Sequence, residues 1–397
     1  MRRAQVVLAV GTAQTLAWAS SYYLPAVLAE PIAASLGLSR AWVYGAFSAA
    51  LVVMSFLGPA IGRHIDARGG RSVLVASALL LPVGLVALAA AQGPVSLALA
   101  WLVLGVAMAL GLYDTAFAAL TAMYGHGARV PITGITLMAG FASTIGWPVS
   151  AWLDHAIGWR GACLVWAAVH ILVTLPCYLA AVPRRPRRGD EAGDAAAATG
   201  APAVPQHAPP RRAMPLMAFA FAIVAFVSTA MASHLPRLLE DTGASAAAAI
   251  AAAALVGPAQ VAARFAEFLS VRHVKQHPAT VARIAALLHP AAAGALALVG
   301  GAGAMAPAFA LLHGAGNGLL TIARGTLPLA LFGPVGYGFR QGTIGAAARL
   351  AQAAAPIAFG VLLDAAGPTP ALALSGGLSF LAFLAFVVLG RPRRNGV

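Results

Sequence analysis

The chain has 397 residues, of which 60% are hydrophobic and only 9% charged, with a mean hydropathy of +0.84. A soluble domain carries roughly 25% charged residues, so there is too little polar material to cover a water-facing surface of this size, which excludes an ordinary cytosolic enzyme. In a soluble protein the net charge of +14 would suggest nucleic acid, so the positions of the charges decide the class.

Apolar stretches of helical length recur between breaks rich in Gly, Pro and Arg. They predict spans over 5–29, 41–62, 73–92, 95–122, 131–153, 160–182, 214–238, 246–268, 279–300, 305–327, 341–363 and 370–390. At about 20 apolar residues per crossing, twelve such spans fit the length. The first is expected to be a span and not a cleaved leader, being too long, preceded by only Arg2 and Arg3 and followed by eleven more. The stretch 183–213 is Pro-, Ala- and charge-rich without apolar periodicity and reads as a linker. The expected division is therefore residues 1–182, a linker over 183–213, and residues 214–397.

With the N-terminus in the cytoplasm, nineteen of the 25 basic residues fall on the cytoplasmic side. Arg40, Arg160 and Arg237 fall opposite, and Arg264, Arg324 and Arg349 lie within spans or near their ends. This asymmetry orients both termini and the linker to the cytoplasm. The charge is thus topological, and no nucleic-acid partner is expected. All basic residues except Lys275 are Arg, which together with so much Ala points to a GC-rich bacterial genome and to a multi-pass protein of the bacterial inner membrane. Cys163 and Cys177 share one predicted span. Fourteen helical residues separate them by about 21 Å, beyond disulfide reach, and no metal or cofactor framework is expected.

The two halves echo each other. Gly58-Pro59-Ala60 returns as Gly257-Pro258-Ala259, Pro148 and Asp154 return as Pro356 and Asp364, and Tyr124-Gly125 is matched by Phe332-Gly333. Such a repeat suits duplicated six-helix bundles that rock about a central site. After the second span the chain reads Gly62-Arg63-His64-Ile65-Asp66-Ala67-Arg68-Gly69-Gly70-Arg71. Gly62, Asp66, Gly69 and Arg71 resemble the signature between helices two and three of the major facilitator superfamily, with the Arg that follows the Asp displaced to Arg68. Gly158-Trp159-Arg160 is also similar to that family. The resemblance spans essentially the whole chain and implies an all-α membrane protein with twelve transmembrane helices in two pseudo-symmetric six-helix bundles. Independently of the family, an acid at Asp66 with Arg residues a turn away can form an ion pair that latches the cytoplasmic side. The alternative is that Asp66 is solvated and Arg63, Arg68 and Arg71 only set topology.

The resemblance also implies that helices one, four, seven and ten face the central cavity. On span ten, His313, Asn317 and Arg324 fall on one helical stripe, with Gly314, Gly316 and Gly318 around it. Span four carries Asp114, the one acid well inside a span, preceded by Tyr113. Span eleven carries Arg349 and Gln352, and span one offers Gln14, Trp18 and Ser21. Intramembrane charges mark pathways by default. Asp114 and Arg324 occupy matching places 210 residues apart and could meet across the pseudo-twofold axis. Asp114 then either carries the coupling proton or belongs to a structural ion pair. Arg324 either binds an anion or snorkels to the interface. His313 is open between ligand contact and packing, while His170 and His289 read as packing residues. Gly134, Gly140 and Gly146 before Trp147-Pro148 partly resemble the helix-five motif of drug and proton antiporters, or serve plain helix packing.

These features lead to a secondary transporter for a small solute, anionic or polar, coupled to protons, working as a monomer in the lipid bilayer. A drug or arsenite-like metalloid exporter is the alternative within the class, and a non-transporting membrane sensor the alternative outside it. With no HExxH, no paired core aspartates and no spaced Ser/His pair, an enzyme is not expected.

Overall fold

The computed structural model describes residues 2–184, 212–273 and 276–389. The expected linker, Lys275 and the final arginines Arg391, Arg393 and Arg394 lie outside them. The described residues are helical, with no strand among them. They form α1 (Arg3–Ser20), α2 (Pro25–Leu36), α3 (Arg40–Arg68), α4 (Arg71–Ala89), α5 (Pro94–Gly111), α6 (Tyr113–Tyr124), α7 (Arg129–Ala139), α8 (Ala142–Val169) and α9 (Leu175–Ala181). After the linker come α10 (Ala213–Asp241), α11 (Ala246–Ala254), α12 (Val256–His273), α13 (Pro278–Val299), α14 (Met305–Phe332), α15 (Tyr337–Ala366) and α16 (Pro368–Leu389). Eight helical stretches among them are long and apolar enough to cross a membrane. Phe56, Leu172, Leu298 and Ile357 are among many large apolar side chains left exposed, a surface suited to hydrocarbon and not to water.

Four expected continuous spans are broken; the fifth parts at Gly140–Phe141 between α7 and α8, and the other three part for local reasons. The first ends at Ser20, where Ser20 and Ser21 hydroxyls return hydrogen bonds to the carbonyls of Leu16 and Ala17 at 2.8 and 2.5 Å, and Pro25 opens α2 at a position needing no donor. The eighth parts at Leu255, because Pro258 has no N–H for the Ala254 carbonyl. The fourth parts at Leu112, whose backbone is extended. In a membrane the freed groups must be satisfied within the protein. Thr115 Oγ1 donates to the Ala109 carbonyl at 2.7 Å and Gln14 Nε2 to the Gly111 carbonyl at 2.5 Å, so the break is built in. It also leaves Asp114 in the first turn of α6, where the helix dipole favours an anion. In α8 the turn after Asp154 passes through Gly158, with φ at +74°, a conformation that disfavours any side chain.

Buried apolar residues form two clusters. One is built from residues 6–182 with Leu329 and Tyr337, the other from residues 213–389. Between them α3 crosses α15 in antiparallel fashion. Gly58 faces Gly342, Gly62 faces Gly338, and Ser55 Oγ donates to the Ala346 carbonyl at 3.0 Å. Each helix thus presents glycines four residues apart, the spacing that lets backbones touch within a membrane. Gly134 and Gly146 pack on Val7 and Ala19 of α1, and Gly314 and Gly318 pack on α12 in the same way.

An added Cβ at Gly62 would lie on the Gly338 carbonyl, and one at Gly342 on the Gly58 carbonyl, with no flexible side chain to yield. Gly62→Ala and Gly342→Ala should each cost about 1–3 kcal/mol, lowering the melting temperature in detergent and speeding thiol labelling of a cysteine placed at Arg63. Unchanged melting and labelling would contradict this crossing.

Candidate functional site

Two arginines of the C-terminal part converge on Asp114 at the interface between the two parts of the chain. Arg324 Nη2 of α14 donates to both carboxylate oxygens, at 2.8 Å to Oδ1 and 2.7 Å to Oδ2. Arg349 Nη2 of α15 reaches Oδ2 at 3.3 Å, and Gln341 Nε2 donates to Oδ1 at 3.0 Å. Arg349 Nη1 continues to Gln352 Oε1 at 2.6 Å, and Gln352 Nε2 donates to the Tyr22 hydroxyl at 3.2 Å, so the network returns to the N-terminal part. Arg349 is 2% exposed against 14% and 19% for the Arg324 and Asp114 side chains, so water reaches only one edge of the pair. The cluster holds two guanidiniums for one carboxylate.

A further cation lies nearby in the fold. Arg264 of α12 is buried and donates to the Gly318 carbonyl at 3.3 Å, and to the Thr136 carbonyl, Gln260 and Thr321 at 3.2 Å. No ion pair found among the described residues includes it. Gly140 makes room for it, since an added Cβ there would stand 2.8 Å from its guanidinium. Sequence reading left Arg264 near a loop and overlooked Gln341, Gly345 and Tyr22. The available signal was the run Gln341, Gly345, Arg349, which repeats every four residues and so marks one face of α15.

Other expected residues have separate places. Trp18 and Tyr113 belong to an aromatic wall beside Arg349, with ring centroids 4.8 Å apart, and the Arg349 guanidinium lies 6.0 Å from the Trp18 ring. Gln14 also donates to the Tyr178 hydroxyl at 3.0 Å and serves the broken helix. His313 does not join Arg324. Eleven residues of helix put them about 16 Å apart along the axis, and His313 Nδ1 instead lies 2.9 Å from His289 Nδ1 of α13. Asn317 lines the small cavity beside that histidine pair. The stripe therefore does not bring His313 and Asn317 to Arg324. His170 lies between Ser20 Oγ at 2.7 Å and Thr174 Oγ1 at 3.1 Å. Cys163 and Cys177 are free thiols, and among the described residues no group of three or more His, Cys, Asp or Glu is placed to hold a metal.

The signature loop closes the end of the molecule that carries Arg63, Arg68 and Arg71, but not through the expected ion pair. Asp66 makes none among the described residues; its carboxylate accepts the backbone N–H groups of Gly338 and Phe339 at 2.7 and 2.8 Å. The glycine crossing is the reason, because it delivers Asp66 one turn further on to the N-terminus of α15, where donors are free and the dipole is favourable. Arg63 lies over the Phe339 ring at 5.2 Å, Arg71 donates to the Val182 carbonyl, Arg68 is exposed, and Gly69 ends α3 with φ at +82°. A second tie joins Arg129 of α7 to Glu267 of α12 at 3.2 Å. At the opposite end the polar contacts found, such as Arg237 to Asp364 at 2.6 Å and Arg160 to the Ala91 carbonyl at 3.0 Å, stay within one part of the chain.

The family model of the Major Facilitator Superfamily matches residues 10–312, and the chain belongs to that superfamily. It is a multi-pass membrane protein of a transporter family. Among solved structures it is similar to the human organic anion transporter MFSD10 (TETRAN), with a TM-score of 0.73 at 17% identity over 97% of this chain and 100% of that one. The transporter FucP in the outward conformation gives a TM-score of 0.73 at 16% identity over 99% of each chain. A variant of the E. coli Fucose:proton symporter FucP gives 0.70 at 14% identity over 97% of this chain and 98% of that one. At these identities the likeness is one of fold. Comparison with curated proteins returns no match.

Because Asp114 and Arg324 are paired across the interface, their replacements should not be additive. Asp114→Asn and Arg324→Gln should each destabilise the protein, while the double variant should recover about 1–3 kcal/mol relative to their sum in detergent unfolding. Simple additivity would show that the pair does not couple the two parts.

Proposed function

We propose that this chain is a proton-coupled secondary transporter that carries a small anionic solute across the bacterial inner membrane by alternating access. The observation that carries the reading is the Asp114 cluster, in which two guanidiniums surround one carboxylate at the interface of the two parts. Residues 1–182 and 214–397 act as two six-helix bundles, together twelve passes, joined by a cytoplasmic linker over 183–213, with both termini cytoplasmic. Polar contacts between the bundles gather at the centre and at the basic end, which supports an outward-facing state closed toward the cytoplasm.

In that state an arriving anion competes with Asp114 for Arg324 and Arg349. When it takes their N–H groups, Asp114 becomes a carboxylate without a counter-ion in a largely dry interior, and binding a proton removes that cost. Proton and anion are then carried together. The bundles reorient when Asp66 leaves the N-terminus of α15 and Arg129 parts from Glu267. On the cytoplasmic side, loss of the proton restores Asp114 as the internal ligand and displaces the anion. Competition between an internal and an external carboxylate thus couples the two without a direct contact between substrate and proton.

In proteoliposomes an inward proton gradient should drive uptake of a carboxylate by the wild type. Asp114→Asn should abolish the proton-linked flux while the protein, though it melts earlier, stays folded and monodisperse at the assay temperature. Wild-type coupling in that variant would overturn the assignment of Asp114. Glu267→Gln should weaken cytoplasmic closure and raise labelling of a cysteine placed at Thr133, buried one turn from Arg129 on α7; unchanged labelling would remove this pair from the gate.

A further inference from the structure

The charges of the central cluster define only one end of a ligand; its surroundings define the other. Trp18 is 7% exposed, and its ring lies 4.9 Å from Tyr22, 5.9 Å from Tyr23 and 4.8 Å from Tyr113, with Phe47 5.4 Å beyond Tyr22. Tyr22 and Tyr23 are only half-buried, so this wall has an open edge. Opposite it stands Arg349, whose guanidinium carbon is 6.0 Å from the Trp18 ring. The wall and the cation come from the two parts of the chain, so anything bound to both joins them.

The donors on this border are incompletely used. Trp18 Nε1, Arg324 Nε and Arg349 Nε are buried N–H groups without an acceptor. In a membrane interior each such donor is costly, and all three belong to the charge cluster or the wall beside it; an oxyanion, with several lone pairs to offer, can accept from them. Their number also bounds the charge. Before Asp114 takes a proton it balances one of the two guanidiniums, so a monoanion suffices to neutralise the cluster that it meets. Aromatic rings favour further rings, through edge-to-face or offset contacts at about 4.5–7 Å between centroids. The 6.0 Å from the Arg349 guanidinium carbon to the Trp18 ring puts the cation at the border of the wall, so a carboxylate held by Arg349 sets the group that bears it beside Trp18.

We infer that the site binds an aromatic monocarboxylate, with the ring against Trp18, Tyr22 and Tyr113 and the carboxylate shared by Arg324, Arg349 and the Trp18 indole N–H. The inference rests on the anion reading of the cluster and adds the body that the anion carries. A polyhydroxylated solute would leave its hydroxyls against ring faces, and a simple short-chain acid would leave the wall without a partner.

The test uses the purified full chain in detergent with radiolabelled benzoate, and acetate, cyclohexanecarboxylate and benzamide as competitors. Benzoate should bind at least ~tenfold more tightly than acetate and measurably more tightly than cyclohexanecarboxylate. Trp18→Leu, which removes both the ring and the N–H, should weaken both carboxylates and reduce benzoate to the level of acetate. Trp18→Phe, which keeps a ring but removes the N–H, should weaken both carboxylates and retain the preference for benzoate. Equal binding of benzoate and acetate, or of benzoate and cyclohexanecarboxylate, would overturn the aromatic inference while leaving the anion reading in place. Benzamide binding as tightly as benzoate would overturn the anion reading itself, and absence of binding by every carboxylate would overturn both.

Discussion

A charge inside a membrane protein must be compensated on the spot, and the interface of this molecule is arranged around that requirement. Asp114 accepts from Arg324, Arg349 and Gln341, and its position in the first turn of α6 adds the favourable end of a helix dipole. None of those three donors is on the N-terminal part, so the compensation is available only while the two parts are together. The same need explains the broken helix beside it. Parting the chain at Leu112 is what frees a helix N-terminus at this depth, and Gln14 and Thr115 take up the carbonyls that the break exposes.

Close backbone approach supplies the frame on which these charges meet. Gly58 and Gly62 against Gly342 and Gly338 bring α3 and α15 into contact. That contact carries Asp66 to the N-terminus of α15 and sets the depth of Gln341, Gly345 and Arg349 further along the same face. Gly345 is itself part of the site, because an added Cβ there would stand 2.5 Å from Asp114 Oδ2. One helix thus links the latch at the basic end to the charge cluster at the centre. A ligand that loosens Asp114 from Arg349 acts on the element that Asp66 holds, which gives the centre and the latch a shared mechanical part.

Much of the architecture is legible in the sequence because bilayer thickness imposes a length on every apolar run. The predicted spans 279–300 and 370–390 match α13 and α16 to within two residues at either end. The break at Leu112 is not legible, since Gly111 and Leu112 satisfy the same hydropathy as an unbroken helix, and at Ser21–Leu24 the one mark is Pro25, which membrane helices also tolerate in their interior. Asp114, Arg324 and Arg349 stand out as charges that topology does not explain, and the structure brings them together. Depth along a helix is harder. A helical wheel puts His313 on the stripe of Arg324, but His313 lies three turns away beside His289, and nothing in a helical-wheel argument shows that separation. The partner of Asp66 was hidden for another reason: a backbone N–H leaves no mark in a sequence, so an Arg is the only visible candidate. Arg264 was obscured by its nearness to the loop that follows α12, although four hydrogen bonds hold it inside.

The central claim is that an external carboxylate displaces Asp114 from its guanidiniums and that Asp114 then takes a proton. The most direct measurement is proton uptake on binding, followed with a pH indicator in lightly buffered detergent solution at neutral pH, with benzoate as the added anion. The account predicts uptake of about one proton per anion bound by the wild type and none by Asp114→Asn. Binding without proton uptake in the wild type, or undiminished uptake in the variant, would contradict it.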